Sequence, residues 1–571
     1  MANCTAMYDV LICGGRLVDG SGNPWRYADV AITGDEIVAI EPPGRIGIES
    51  AIQVVDATGK VVCPGFIDIQ SHSLLPLLTD GRSLSKVTQG VTTEILGELW
   101  TPAPLGGRRD LERISAGLTP EQKAVASSWR RFADWVTFYE KSGVSVNVGS
   151  FVGGGTIREW ACGWDAGNPS EAQINEMQRI TAQAMEEGAF GIAPALIYPP
   201  SSYSPDFELT EVAKIVGKYG GVYIVHLRSE GDQFLESIEA TAKLSRDANC
   251  PVEIYHLKAS GERNWPKMER ALARINELRT EGVDITADMY PYVASGTGLS
   301  VLVPDWASEG GKLFDNLRDQ VTRKRLITEM LTPTSTTGDF AGNTGSRGDT
   351  VLPLGFKQAQ NRGYIGKTLT QIAQERGQTW ADAAVDLLVE ENDRIATVFF
   401  SMHEDNLRLQ LREPWIKIST DAGGIDPVGQ TNPVHPRGYG TYPRVLAKYV
   451  RDEKILTLED AIRKMTSSVA DRLSLSRRGL LKPGFFADVV VFAPDTVQDR
   501  ATFTDPHQLS VGIEHVWVNG TPVLQNGVHT GAKPGRTVYG PGRSLNQTSR
   551  LNTVLFSHVA EAGHKSRVLP I

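Results

Sequence analysis

The chain has 571 residues, more than one small core can hold, so a large domain with one or two smaller modules is expected. A hydrophobic content of 41% and a charged content of 22% are ordinary for a soluble globular protein, and a net charge of −9 points away from nucleic-acid or anionic-membrane partners. Small-molecule chemistry fits better. Five cysteines (Cys4, Cys13, Cys63, Cys162, Cys250) are odd in number and far apart, with no CxxC pair, which predicts reduced, mostly buried thiols. The start, MANCTAMYDVLICGG, has no basic-then-apolar leader, and no run of 18 apolar residues occurs. A cytoplasmic protein without a membrane span is expected.

In chain order, YDVLICGGRLVDG reads as a strand and a Gly-rich turn. ADVAITGDEIVAIEP reads as a hairpin around Thr33-Gly34-Asp35-Glu36, and VVDATGKVVCPGFIDI as a second hairpin turning near Thr58-Gly59. A similar texture returns late, in FADVVVFAP and GIEHVWVNGTPVLQNGVHTG, with turns at Asn519-Gly520 and Asn526-Gly527. Residues 1–63 and 480–541 are therefore expected to form one discontinuous β-sandwich, the alternative being two separate β modules.

Between them, over 64–479, strand-like runs (VSVNVGSFVG, GAFGIAPALIY, GGVYIVHL, CPVEIYHL, VDITADMY, WIKIST) alternate with helix-like stretches such as SEAQINEMQRITAQAMEEG and NWPKMERALARINELRTEG. Repeated βα units predict an α/β fold, a closed (β/α)8 TIM-like barrel, with a doubly wound sheet as the alternative. Residues 300 to 395 break the rhythm and read as an insertion late in the barrel, of the kind that shapes substrate access. Residues 542–571 read as a C-terminal extension.

VYIVHL and VEIYHL place His226 and His256 at equivalent strand ends, where a parallel barrel gathers its active site. Imidazole is a common zinc ligand, so the pair predicts a metal site, against two hydrogen-bonded loop histidines. CPGFIDIQSHS brings His72 to the same face, and WIKISTDAGG ends on Asp421, a candidate metal ligand and proton acceptor. A turn aspartate before Gly423-Gly424 is an equally open reading of Asp421. Glu98, in VTQGVTTEILGEL, reads from its context alone as a solvated loop acid.

Taken together, these motifs resemble the amidohydrolase superfamily, and within it the N-acyl-D-amino-acid deacylases (D-aminoacylases), over about residues 7–541. The likeness runs through PGFID and SH at 64–72, GVTTEILGE at 90–98, ALIYPPSSY at 195–203, HLRSEGD at 226 and HLKASG at 256. It continues in DMYPYVASGTG at 288, STDAGG at 419, HPRGYGTYPRVL at 435 and KPGFFADVVVF near the end.

The resemblance implies His226 and His256 as tight metal ligands, and Asp421 as general base and then proton donor to the leaving amine. It implies Lys258, Tyr290, Arg437 and Tyr198 as substrate holders. An Arg fork suits the α-carboxylate of an N-acyl amino acid.

The chain departs from the family pattern at three places. Gln70-Ser71-His72 stands where the family has His-x-His, so a second ion at His72 is in doubt. Leu99 stands at the family's cysteine ligand, and the neighbouring Glu98 matches a variant in which glutamate takes that role. Gly153-Gly154-Gly155-Thr156 lacks the histidine of a GHGT-like stretch. GAFGIAPALIYPPSSY holds no lysine, which weighs against a carboxylated-lysine, hydantoinase-like centre.

The resulting expectation is a zinc-dependent hydrolase of a linear amide bond in a small-molecule substrate, an N-acyl-D-amino acid or a related carboxylate-bearing amide. One Zn²⁺ is expected on Glu98, His226 and His256, with water activated by Asp421. The open alternatives are a hydrolase of another amide (a dipeptide, lactam or secondary-metabolite amide) and a non-catalytic binding barrel.

Overall fold

The computed structural model describes residues 7–104, 118–332 and 348–543. The first strands are Tyr8–Leu17 (β1), Arg26–Thr33 (β2), Glu36–Glu41 (β3), Ala51–Asp56 (β4) and Val61–Pro64 (β5). β2 and β3 form the expected hairpin, with Thr33 opposite Glu36 across a two-residue turn.

The second expected hairpin is not one. β4 and β5 both run parallel to β1, β4 along Tyr8–Cys13 and β5 at Arg16–Leu17. The chain at Thr58-Gly59 steps along β1 instead of reversing. The Ala57 amide donates to the Cys13 carbonyl and the Arg16 amide to the Lys60 carbonyl, so β1 itself supplies the partners a hairpin would have used.

Eight parallel strand positions follow: Phe66–Asp68 (β6), Val91–Leu96 (β7), Asn147–Ser150 with Val152–Gly153 (β8, β9), Gly191–Ala193 (β10), Val222–Val225 (β11), Val252–Ile254 (β12), Ile285–Met289 (β13) and, after the insertion, Ile416–Ile418. β8 pairs with β7 and β9 with β10, so the chain changes neighbour at Phe151 without leaving its place in the wall. The (β/α)8 barrel closes beyond the ends of its first and last strands. Ser71 bridges Ala422, the Asp421 amide donates to the Gln70 carbonyl at 3.0 Å, and the His72 amide donates to the Ala422 carbonyl at 3.1 Å. Closure thus sets Gln70, His72 and Asp421 side by side on the C-terminal rim.

The connecting helices follow their sequence signals. In Glu171–Glu187, Ser170 and Gln173 exchange capping hydrogen bonds, and Gly188 ends the helix at φ 107°. Ile174, Met177, Thr181 and Ala184 bury one face, the spacing of a helix lying on a sheet.

The insertion lies between β13 and the last barrel strand. Its strands Ser295–Gly298 (β14) and Val351–Pro353 (β15) both pair antiparallel with Ala396–Phe399 (β16). It carries its own core, including Leu302, Leu326, Ile372, Leu387 and Phe399. The Ile416–Ile418 strand is β17. Strands Val489–Phe492 (β18), Ile513–Val518 (β19), Thr521–Gln525 (β20) and Val528–His529 (β21) follow. β18 pairs antiparallel with β5, so the early and late strands of the β-sandwich share one sheet. Val30, Val62, Val489 and Trp517 share one core.

Both late turns form as their Asn-Gly pairs predict, with φ of 48° and 77° at Asn519-Gly520 and 50° and 75° at Asn526-Gly527. Cys13, Cys63, Cys162 and Cys250 are free thiols. Cys4, most of TPTSTTGDFAGNTGSRGDT and the extension beyond Arg543 lie outside the described residues. Among those described, no helix is long and apolar enough to cross a membrane.

Candidate active site

Each site residue stands just past a barrel strand. Glu98 follows β7, His226 β11, His256 β12 and Asp421 β17. Two of them, and Leu99 next to Glu98, hold left-handed backbone that side-chain-bearing residues rarely adopt: φ is 59° at Leu99, 32° at His256 and 48° at Asp421. The His256 amide is fixed by a 2.9 Å hydrogen bond to Asp288 Oδ1, an acceptor that Ser419 Oγ also reaches at 2.6 Å.

Glu98 is the hub. Its Oε1 lies 3.2 Å from His226 Nδ1 and 3.7 Å from His256 Nε2, and these three ligand atoms fall within 4.8 Å of one another. Its Oε2 lies 3.4 Å from His72 Nε2 and accepts a 2.6 Å hydrogen bond from Gln70 Nε2. His72 Nε2 is also 2.9 Å from Asp421 Oδ1, and His72, Glu98 and Asp421 form a second group of possible ligands.

Behind the two barrel histidines stands Glu230. Its Oε1 is 3.2 Å from His256 Nδ1, 3.5 Å from His226 Nε2 and 2.6 Å from Lys258 Nζ. One carboxylate therefore faces the ring nitrogens of both histidines that point away from Glu98. Such an outer partner selects which nitrogen keeps its proton and orients the ring.

The electrostatics suit a divalent cation. Burial works to raise Glu98, but hydrogen bonds with His226, His256 and His72 hold it well below the usual carboxylate range. Burial likewise opposes the charge on Glu230, and Lys258 and His226 outweigh it, keeping it ionised. Burial alone would depress His226; Glu230 and Glu98 instead lift it to about 9. The packing around His72, whose side chain is 45% exposed, also opposes its charge, and Asp421 and Glu98 raise it to about 10. Asp421 is pulled down against burial by Arg437, His256 and His72, to about 2. Protons held between convergent carboxylates and imidazoles mark positions a cation can take over. The donor set, one carboxylate and two imidazoles, is that of zinc.

A cavity of about 590 Å³ covers this cluster, and all four expected substrate residues line it. Arg437 reaches Asp421 Oδ2 at 2.7 Å and the Gly296 carbonyl at 3.1 Å, and lies 4.6 Å over the Tyr290 ring. The Tyr290 hydroxyl is buried with no hydrogen-bond partner in the described protein, and burial keeps it protonated, so it offers the cavity a donor. Tyr198 bonds Thr297 Oγ1 at 2.6 Å, and its ring meets His226 edge-on. Lys258 is less free than expected: Glu230 and, at 2.7 Å, His256 Nδ1 hold its ammonium.

One feature escaped the sequence reading, and one departure noted in the sequence finds its reason in the structure. Glu230 was visible in HLRSEGD, four residues after His226, yet nothing local distinguishes it from a surface acid. The absent histidine at Gly154 has a steric cause: a Cβ there would lie 2.5 Å from Pro194.

Comparison with known proteins adds four findings. Residues 407–524 match the model of the Amidohydrolase family. The chain is 32% identical to the D-aminoacylase of Alcaligenes xylosoxydans xylosoxydans across 93% of this chain and 97% of that protein. It is also 32% identical to that organism's N-acyl-D-glutamate deacylase, over 90% and 93% of the two chains. Among solved structures, the N-acyl-D-glutamate deacylase from Bordetella bronchiseptica, complexed with zinc and a phosphonate mimic of the reaction's tetrahedral intermediate, superposes with a TM-score of 0.77 at 29% identity. The match covers 93% of this chain and all of that one.

Proposed function

The chain belongs to the D-aminoacylase family of amidohydrolases, and on that premise we propose that it removes the acyl group from an N-acyl-D-amino acid with one zinc ion held by Glu98, His226 and His256. The observation that carries this reading is the position of Glu98 Oε1 between a nitrogen of each histidine, with Asp421 joined to the same edge through His72. Bound there, zinc polarises the amide carbonyl and lowers the pKa of nearby water.

The chain's own groups do the rest. Arg437 and the unpartnered Tyr290 hydroxyl take the α-carboxylate of the substrate, with Lys258 adding positive charge from beside Glu230. Tyr198 borders the acyl end of the cavity. Holding the carboxylate fixes where the scissile amide sits, which removes most of the entropy of the encounter.

Asp421, ionised because Arg437 and His72 hold its pKa near 2, accepts the proton of the attacking water and returns it to the departing nitrogen. His72, 2.9 Å away, aims Oδ1 for that task. Products are a carboxylate and a free D-amino acid.

The test compares turnover of N-acyl-D-amino acids, their L-enantiomers and uncharged amides by the wild type and by Asp421→Asn, with zinc measured in both. Turnover of the D series by wild type, lost in Asp421→Asn at full zinc content, is expected. Equal rates on uncharged amides overturn the carboxylate clamp, and wild-type turnover in Asp421→Asn overturns the base.

A further inference from the structure

The second group of possible ligands, His72, Glu98 and Asp421, looks on spacing alone like a place for another cation. Gln70 stands at its edge. The residue is 1% exposed, and its Nε2 donates to Glu98 Oε2 at 2.6 Å. We infer that Gln70 is a positioning residue that takes the place of a second metal ion: its amide clamps Glu98 from the side facing His72 and Asp421, so the centre holds a single divalent cation. The inference rests on the reading of Glu98, His226 and His256 as the zinc site.

The orientation of the amide follows from charge. Turned over, it would set its carbonyl oxygen 2.6 Å from a carboxylate oxygen, with no proton between them. As it stands, its carbonyl oxygen lies 3.4 Å from the Ser419 hydroxyl. An amide N–H has no lone pair to give a metal and no proton it can release near neutral pH. A cation can displace the proton shared by His72 and Asp421, but it cannot displace this one.

The other acceptors on that side are also engaged. Asp421 Oδ1 meets His72 Nε2 at 2.9 Å, and Asp421 Oδ2 meets Arg437 Nη1 at 2.7 Å. A cation here would meet a guanidinium and an amide donor across its own ligands. A neutral N–H dipole thus does for Glu98 what a second ion would do. It engages Oε2 in a hydrogen bond and leaves Oε1 turned toward His226 and His256.

The test is a zinc titration of the full-length protein after removal of metal by chelator. Bound zinc is counted by elemental analysis and affinity read by competition with a chromophoric chelator, for wild type, Gln70→His and Gln70→Ala. Circular dichroism confirms that each variant is folded.

Wild type is expected to saturate at one equivalent and to take no second in excess zinc. Gln70→His, which supplies a lone pair in place of the N–H, is expected to reach two. Gln70→Ala is expected to stay at one equivalent with affinity about 10- to 100-fold weaker, the usual cost of losing a partner that orients a ligand.

A second equivalent on wild type, abolished by His72→Ala, overturns the inference while leaving the first site intact. A single equivalent on folded Gln70→His, or unchanged affinity in Gln70→Ala, overturns the clamp. No zinc on wild type overturns the underlying zinc reading and the inference with it.

Discussion

The barrel buries two clusters of ionisable groups on the same strands, and they are built to opposite rules. Near the start of β12, Glu253 accepts from Lys417 at 3.1 and 3.0 Å, from Arg472 at 3.0 Å and from the Thr286 hydroxyl, so both its oxygens are satisfied. At the other end of that strand, Glu98, Glu230 and Asp421 share imidazoles, one ammonium and one guanidinium, and polar atoms are left over. Glu230 Oε2 and the Tyr290 hydroxyl are buried without a hydrogen-bond partner among the described residues. A buried polar group without a partner costs roughly 1–3 kcal/mol. The lower cluster avoids that cost and the rim tolerates it. The difference teaches that charge and burial alone do not separate the two clusters; what separates them is that polar atoms at the rim are left without partners.

The largest expected effect that would sharpen the contrast belongs to the rim. Asp421→Asn should lower turnover by about 10²- to 10⁴-fold, the range for removal of a general base, and should also lower the melting temperature, because buried Arg437 loses its counter-charge. Steady-state kinetics beside thermal denaturation reads both.

The lower cluster should respond the other way. Glu253→Ala leaves Lys417 and Arg472 facing each other without a counter-charge. It should cost about 3–5 kcal/mol of stability, while folded protein keeps its zinc content. Denaturant unfolding of the metal-loaded enzyme measures this, and a variant as stable as wild type would break the comparison.

Tyr290→Phe removes a donor that has no partner until substrate binds. A KM increase corresponding to about 1.5–3 kcal/mol is expected, without loss of stability. An unchanged KM would show that the hydroxyl does not meet the carboxylate.

The smallest effect concerns pH. His226 is raised to about 9, so below that value zinc must displace its proton, and binding releases protons into the medium. Apparent zinc affinity should therefore strengthen as pH rises, by about tenfold per unit between 6 and 8 for each proton displaced. Calorimetry in buffers of different ionisation enthalpy counts those protons, and affinity that does not vary with pH would contradict the raised imidazole.

Much of this was legible in the chain alone, for local reasons. Asn-Gly pairs favour the left-handed backbone their turns need, and both late hairpins formed where those pairs stand. The equivalence of VYIVHL and VEIYHL placed His226 and His256 on one rim because parallel strands end on one side. The misread hairpin at Thr58-Gly59 shows the limit of such signals. A Gly-containing turn between two apolar runs says that the chain bends, while the partner strand, β1, decided that both runs continue in one direction.

Sequence by itself determined the strand–helix rhythm, the turns, and the residue types available at each strand end, because these depend on neighbours a few positions away. Only the tertiary structure decided what those residues do to one another. Gln70 and Glu98 are 28 positions apart and meet because β6 and β7 lie side by side, while His72 and Asp421 are 349 apart and meet because the first and last strands close the barrel. Glu230 became a partner of two imidazoles, and Gly154 a place where no side chain fits, because neighbouring parallel strands bring their ends together. The physical reason is range. Backbone preference acts within a turn or two, whereas hydrogen bonding and charge act across whatever distance folding has removed.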